Sequence, residues 1–370
     1  MTSRLIGFLT VMACTLYATV TPALAHVKWF LGRSEADILR EAKPELFTHL
    51  SFANLIPIAV ALVALFMTTV AGSDFAKWAV NKKLSAWADQ KEPALNLFIA
   101  LCTGSMLIYC ALTRTLMVPN FIICSHCPQW LPYVELFAGL SIAFGLLSRL
   151  GAGAMLFLLV FTFVKHSAAD CLDLIPLYGL SFYFLLVGRS RWSLDALLHL
   201  DRRPSFLNIQ FAHLLIRWTT GLGLMILALD EKLLHPQLAL ELLKHAPSLN
   251  FFGALNMSNE MFVLCAGLVE LLLGLIIVVG SFPRIAAVML AGLFVTTTFI
   301  FGTTELLGHL PFYAIIASLV LRGSGTLSPI TLLRSIKLQL ARALPEVDQK
   351  VSGQICLANG VVLQVHRSNH

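Results

Sequence analysis

The chain has 370 residues, of which 58% are hydrophobic and 12% charged, with a formal net charge of +6. A soluble domain carries about 25% charged residues, so this chain lacks the polar surface that a water-soluble fold of its length requires. The basic residues sit in short joints between apolar blocks, not on one face, which excludes a nucleic-acid footprint and points to orientation charge in a membrane.

The N-terminal stretch reads as an export signal. Arg4 precedes an apolar run from Leu5 to Val20, and Ala23-Leu24-Ala25 is an A-x-A cleavage site. Residues 1–25 are therefore expected to be a signal peptide and 26–51 an exported N-terminal segment, the alternative being an uncleaved first helix. Apolar blocks follow at Phe52–Val70, Ala94–Leu116, Leu131–Leu147, Leu150–Val164, Leu174–Val187, Phe211–Leu229, Met261–Val279, Ile285–Phe301 and Leu310–Leu321. Measured against the roughly 20 residues that a bilayer requires, these make about nine spans. The expected fold is thus all-α transmembrane, with a leading helix within 52–72. After Gly325, Leu327–Leu344 has the pattern of an interfacial helix, and Asn359-Gly360 is a hairpin signal. Residues 326–370 are expected to form a cytoplasmic tail.

Lys and Arg distribution orients the spans. The joints with Lys77, Lys82, Lys83 and Lys91, and with Arg189, Arg191, Arg202 and Arg203, fall on one side with the C-terminal basic tail. Two opposite joints, Met117–Trp130 and Thr303–His309, contain no Lys or Arg. The pattern places the basic joints in the cytoplasm of a bacterial cell with a multi-pass inner-membrane protein. Arg149 and Arg284, in tight inner turns, are expected to snorkel.

The chain also repeats itself. At an offset of 135, Val134-Glu135-Leu136 matches Val269-Glu270-Leu271, Gly145 matches Gly280, Arg149 matches Arg284, and Gly188 matches Gly323. One span earlier the offset is 117, with Gly104, Leu107 and Pro119 matching Gly221, Leu224 and Pro236. The reading is two parallel four-helix units, 94–190 and 211–325, the second with a longer outer loop from Asp230 to Asn259.

The second unit resembles the DoxX family of small four-helix membrane proteins. The likeness rests on Arg217 with Gly221, Glu231-Lys232 with Pro236, Glu270 with Gly274 and Gly280, Arg284 with Ala286-Ala287, and Glu305 with Gly308-His309. The first unit reads as a diverged copy, with Thr113-Arg114-Thr115 where the second has Asp230-Glu231-Lys232, and Asp173-Leu174 in place of Gly308-His309. The resemblance implies membrane redox chemistry, including quinone-linked thiosulfate oxidation.

Several constellations could carry chemistry. Cys124-Ser125-His126-Cys127 lies in an outer joint, with His166 and Cys171 in the next. It reads as a structural disulfide, a redox pair or a metal site. Glu135 and Glu270 are acids inside spans, either hydrogen-bond anchors or functional groups, with Arg114 or Arg217 as expected partners. His26 would be the first residue after cleavage, and its amine and imidazole together suit copper, alongside His126 and His166 as further candidate metal ligands; an arbitrary first residue is the plainer reading. Glu305 and His309 lie one helical turn apart at an outer helix end and, with Arg217, are candidates for a quinone site or proton relay; an ordinary polar terminus is the alternative. No nucleotide loop, nucleophile elbow or zinc-protease motif occurs. The function expected is a redox component linked to a quinone or thiol and facing the periplasm, with a periplasmic or membrane partner. A small-solute transporter between the two units, or a non-catalytic scaffold, is the alternative.

Overall fold

The computed structural model describes residues 31, 35–41, 79–122, 128–165, 169–189, 192–200, 204–250, 252–253, 256–280 and 282–323. The expected signal peptide, leading helix and C-terminal tail lie outside these residues. So do His26, Cys124, His126, Cys127 and His166.

A short helix α1 (Glu35–Leu39) is followed by α2 (Ala79–Gln90) and the long α3 (Glu92–Thr113). The expected loop after α3 opens with an antiparallel ribbon, β1 (Thr115–Leu116) and β2 (Val118–Ile122), with Thr115 opposite Ile122. Helices α4 (Leu131–Phe144), α5 (Ser148–Lys165) and α6 (Ile175–Val187) follow, with a 3-10 turn at Ala169–Leu174 before α6, and then the short α7 (Leu194–Leu197). The second half holds α8 (Phe206–Ala228), a π-turn (Leu229–Leu234), α9 (Pro236–His245), α10 (Asn259–Val279), α11 (Pro283–Phe301) and α12 (Thr303–Arg322). Six of these helices are long and apolar enough to cross a membrane, and the helices at Leu131–Phe144 and Cys171–Val187 are shorter apolar ones.

Proline starts many of these helices because their first N–H groups have no intrahelical acceptor to lose. Pro93, Pro132, Pro176, Pro236 and Pro283 occupy the first two positions of α3, α4, α6, α9 and α10's successor α11. The ends are set by left-handed residues: Gly145 after α4 has φ 69° and Gly280 after α10 has φ 79°. Only a residue without a Cβ takes that conformation without strain.

α3 packs on α4, α4 on α5 and α5 on α6, while α8 packs on α10, α10 on α11 and α11 on α12. The two series then meet twice, α6 on α8 and α12 on α3. Matched glycines set the closest approaches. A Cβ on Gly104 of α3 would lie 2.7 Å from the Gly139 carbonyl oxygen of α4, and one on Gly221 of α8 would lie 2.7 Å from the Gly274 carbonyl oxygen of α10. Small residues let membrane helices bring their backbones together, where dispersion and packing must replace the missing hydrophobic drive. Gly274→Ala should therefore lower stability by about 1–3 kcal/mol through overpacking. Gly292→Ala is the control, since nothing lies within 4 Å of its added methyl. Equal melting midpoints for the two variants would refute the close-packing account.

Outside the helical ring, the longer loop of the second half is structured. The apolar face of α9 (Leu238, Leu242, Leu243) packs with Phe262 and Val263 of α10, and Ile38 of α1 enters the same cluster fully buried. Helix α1 thus docks on this loop.

Arginines finish the opposite end. Arg284 donates from Nε to the Val320 carbonyl (2.8 Å) and from Nη2 to the Leu321 carbonyl (3.0 Å) and Ser85 Oγ (2.8 Å). It caps the last turn of α12, where cationic donors meet unsatisfied carbonyls and the negative helix end, and does not merely snorkel.

Candidate buried ionic sites

The first site is an ion pair inside the second half. The π-turn continues α8 but widens its last turn, and π-bulges of this kind recur at functional sites. It turns Lys232 inward, where Nζ donates to Glu270 Oε2 at 2.6 Å; the two side chains are 1% and 3% exposed. Gly267, one turn before Glu270, makes this approach feasible, since a Cβ there would lie 3.1 Å from Lys232 Cβ and 2.9 Å from Leu233 Cδ2. The expected partner, Arg217, is elsewhere. Its guanidinium lies beside Gly280, with Nη1 3.0 Å from where a Cβ would stand. Ten residues of helix, about 15 Å, separate Gly280 from Glu270.

Glu305 and His309 form a second pair. His309 Nδ1 lies 2.9 Å from the Glu305 carbonyl and 3.3 Å from Glu305 Oε1. They lie inside the first two turns of α12, both fully buried, and not at an open helix end. The imidazole is flanked by aromatic rings, with centroids 4.5 Å away at Phe294 and 5.5 Å away at Phe312.

Glu135, which the offset of 135 aligns with Glu270, is placed differently. It is fully buried in α4 and accepts the Met117 backbone N–H at 2.6 Å through Oε1. Its Oε2 has no hydrogen-bond partner among the described residues. Arg114, the expected partner, is exposed in a left-handed conformation at the end of α3. Cys171 is buried in the 3-10 turn before α6. Among the described residues no group of three or more His, Cys, Asp or Glu is placed to hold a metal.

A third ionic site was not legible in the sequence. It lies where the two helical series meet, at the end carrying Arg189 and Arg322. Glu92 at the start of α3 accepts from Arg322 of α12, at 3.0 Å from Nε and also from Nη2, and from the Tyr183 hydroxyl of α6 at 3.2 Å. His213 of α8 places Nε2 3.3 Å from Glu92 Oε1 and Nδ1 3.0 Å from Ser318 Oγ. Asn96 then donates to the Tyr183 hydroxyl at 3.2 Å and to the Gly188 carbonyl at 3.0 Å, and Arg189 Nη1 reaches the Asn96 carbonyl at 3.3 Å. One carboxylate thus joins helices of both halves. A small crevice beside it is lined by Gln210, His213, Arg217, Ser318 and Arg322. Glu135 and Glu270 do not belong to this seam: α4 packs against α3, α5 and β1, and α10 against its own half.

The available signals for these residues were weak. Glu92 reads as an acid in a first helical turn, and Arg322 as an orientation charge. Lys232 was in view through Glu231-Lys232, but its direction depends on the π-turn.

No similar curated protein and no similar solved structure was found. Residues 212–303 match the DoxX family model, a stretch from α8 into the start of α12 that contains Arg217, Lys232 and Glu270 and stops before Glu305 and His309. With six helices able to cross a bilayer, the chain is a multi-pass integral membrane protein carrying a DoxX-like domain.

Proposed function

We propose that the protein is a membrane redox component of two parallel DoxX-like four-helix units, 94–190 and 211–325, preceded by a signal peptide and a leading helix in a bacterial inner membrane. Matched glycine contacts in the two halves support the duplication, as do the paired left-handed glycines Gly145 and Gly280. The observation that carries the chemistry is the Lys232–Glu270 pair. A charge inside a span is costly and persists where it handles ions, protons or ligands. Here an ammonium and a carboxylate face each other 2.6 Å apart within the helices. Glu305 and His309 supply a second such pair, with Phe294 and Phe312 giving flat surfaces against which a quinone ring would stack. Arg217 lies beside Gly280 at the end of α10.

The electrons would come from Cys124 and Cys127 on the periplasmic side. Closing a disulfide releases two electrons and two protons, and reducing a quinone to its quinol consumes both pairs. Cys171 would serve as an auxiliary thiol, and an exported thiol or membrane partner would reduce the disulfide again. His26, His126 and His166 remain the copper candidates on that face. Buried Glu135 belongs to the first unit, and the charged seam favours the second reading, a small-solute path between the units.

Purified protein assayed with a short-chain quinone and a dithiol should show quinone reduction that Cys124→Ser and Cys127→Ser abolish. Lys232→Met and His309→Phe should slow it by about 10²-fold, the usual worth of a positioned proton donor. Wild-type protein that neither reduces nor co-purifies with quinone would sink the redox reading.

A further inference from the structure

We propose that Glu135 binds a monovalent cation, of sodium type, in the position that the Lys232 ammonium occupies against Glu270 in the second unit. This site rests on the equivalence of the two units proposed above, and on geometry within the first.

In the second unit the carboxylate is answered by a side chain: Lys232 Nζ lies 2.6 Å from Glu270 Oε2. At the offset of 117 that aligns Gly104 with Gly221, the residue in the place of Lys232 is Thr115. The first unit therefore keeps the acid and lacks the cation. Glu135 is fully buried, its Oε1 takes the Met117 N–H, and its Oε2 points to no described donor. Among the described residues no Lys, Arg or His makes a hydrogen bond or ion pair with it. A carboxylate left this way within a span is unfavourable unless a proton or a metal cation joins it, and the two differ in their response to sodium.

The surroundings are oxygen-rich. α3 ends at Thr113, and its last carbonyls point along the negative end of the helix toward the turn leading into β1. Arg114 and Met117 both adopt positive φ, 56° and 66°, so the chain breaks away from helix on this stretch. The Thr115 hydroxyl is buried and lies 3.4 Å from the Cys110 carbonyl and 3.1 Å from Thr113 Oγ1. The Cys110 carbonyl itself already accepts the Arg114 N–H, so the donors offered to a hard cation are the Glu135 carboxylate and the Thr115 hydroxyl, on unwound backbone at a helix end, a recurrent place for sodium in membrane proteins. Glu270 lacks such a role because the Lys232 ammonium supplies the charge.

The test uses the full-length protein in detergent, melted at equal ionic strength in sodium chloride, potassium chloride and choline chloride. Sodium should raise the melting midpoint over choline by roughly 2–4 °C once it exceeds its Kd about tenfold. Glu135→Gln should remove that difference. Thr115→Lys should raise the choline midpoint toward the wild-type sodium value and also remove the difference, because the ammonium now fills the site. Equal wild-type midpoints in all three salts would overturn the proposal, as would a sodium response that persists in Thr115→Lys. Should Glu135→Gln fail to fold, Thr115→Lys still decides. Quinone reduction is not read in this experiment, so failure of the redox reading leaves its result standing.

Discussion

Lys232→Met and Glu270→Gln should each lower stability by about 3–5 kcal/mol, while Lys232→Met combined with Glu270→Leu should recover most of the loss. The reason is asymmetric. A buried ion pair is a poor net stabiliser, since both ions lose their hydration, but removing one partner strands the other charge with no solvent to answer it. The side chains here are almost wholly enclosed, so little water reaches a survivor. Thermal or denaturant melts of the single and double variants give the coupling energy directly. The double variant also separates structure from function. A stable double variant that no longer reduces quinone assigns the pair to chemistry. One that remains as active as wild type makes the pair an anchor between the π-turn and α10.

The second large effect should appear where the two helical series meet. Glu92 accepts from three side chains of three other helices: Arg322, Tyr183 and His213. Removing the acceptor strands every donor, whereas removing one donor strands a fraction of the acceptor. The expected order of destabilisation is therefore Glu92→Leu, then Arg322→Met, then Tyr183→Phe. The first should cost about 3–5 kcal/mol as the loss of a buried ionic partner, and the last about 1 kcal/mol as the loss of one hydrogen bond. Asp89, whose side chain is 46% exposed and 3.2 Å from Arg322, should matter least, because solvent screens it. Melts of these three variants and of Asp89→Asn check the order. If Tyr183→Phe cost as much as Glu92→Leu, the junction would be held by packing around the ring and not by the carboxylate.

The sequence by itself determined the membrane-spanning class and the positions of most helices. Long apolar blocks have few alternatives in a bilayer, because every backbone N–H and C=O must be satisfied within the segment. Hydropathy placed most boundaries within a few residues, the main exception being α12, which begins at Thr303 and not at Leu310. Sequence also singled out Glu270, as an acid inside an apolar block, and Glu305 with His309, as an acid and an imidazole one helical turn apart.

Partnerships were decided only by tertiary structure. Glu270 was matched with an arginine because Arg217 lies on an adjacent span, yet the π-turn rotates Lys232 into reach while Arg217 goes to the far end of α10. A change in helical phase at a π-turn cannot be read from spacing that assumes 3.6 residues per turn. Arg284 and Arg322 passed for orientation charges, because charge counts register side and not contact; one caps α12 and the other binds Glu92. The junction around Glu92 and His213 joins residues 121 apart in the chain. No local pattern encodes such a pairing. It exists because α6 packs on α8 and α12 on α3, and that closure is settled by which helix faces fit together once the spans are in place.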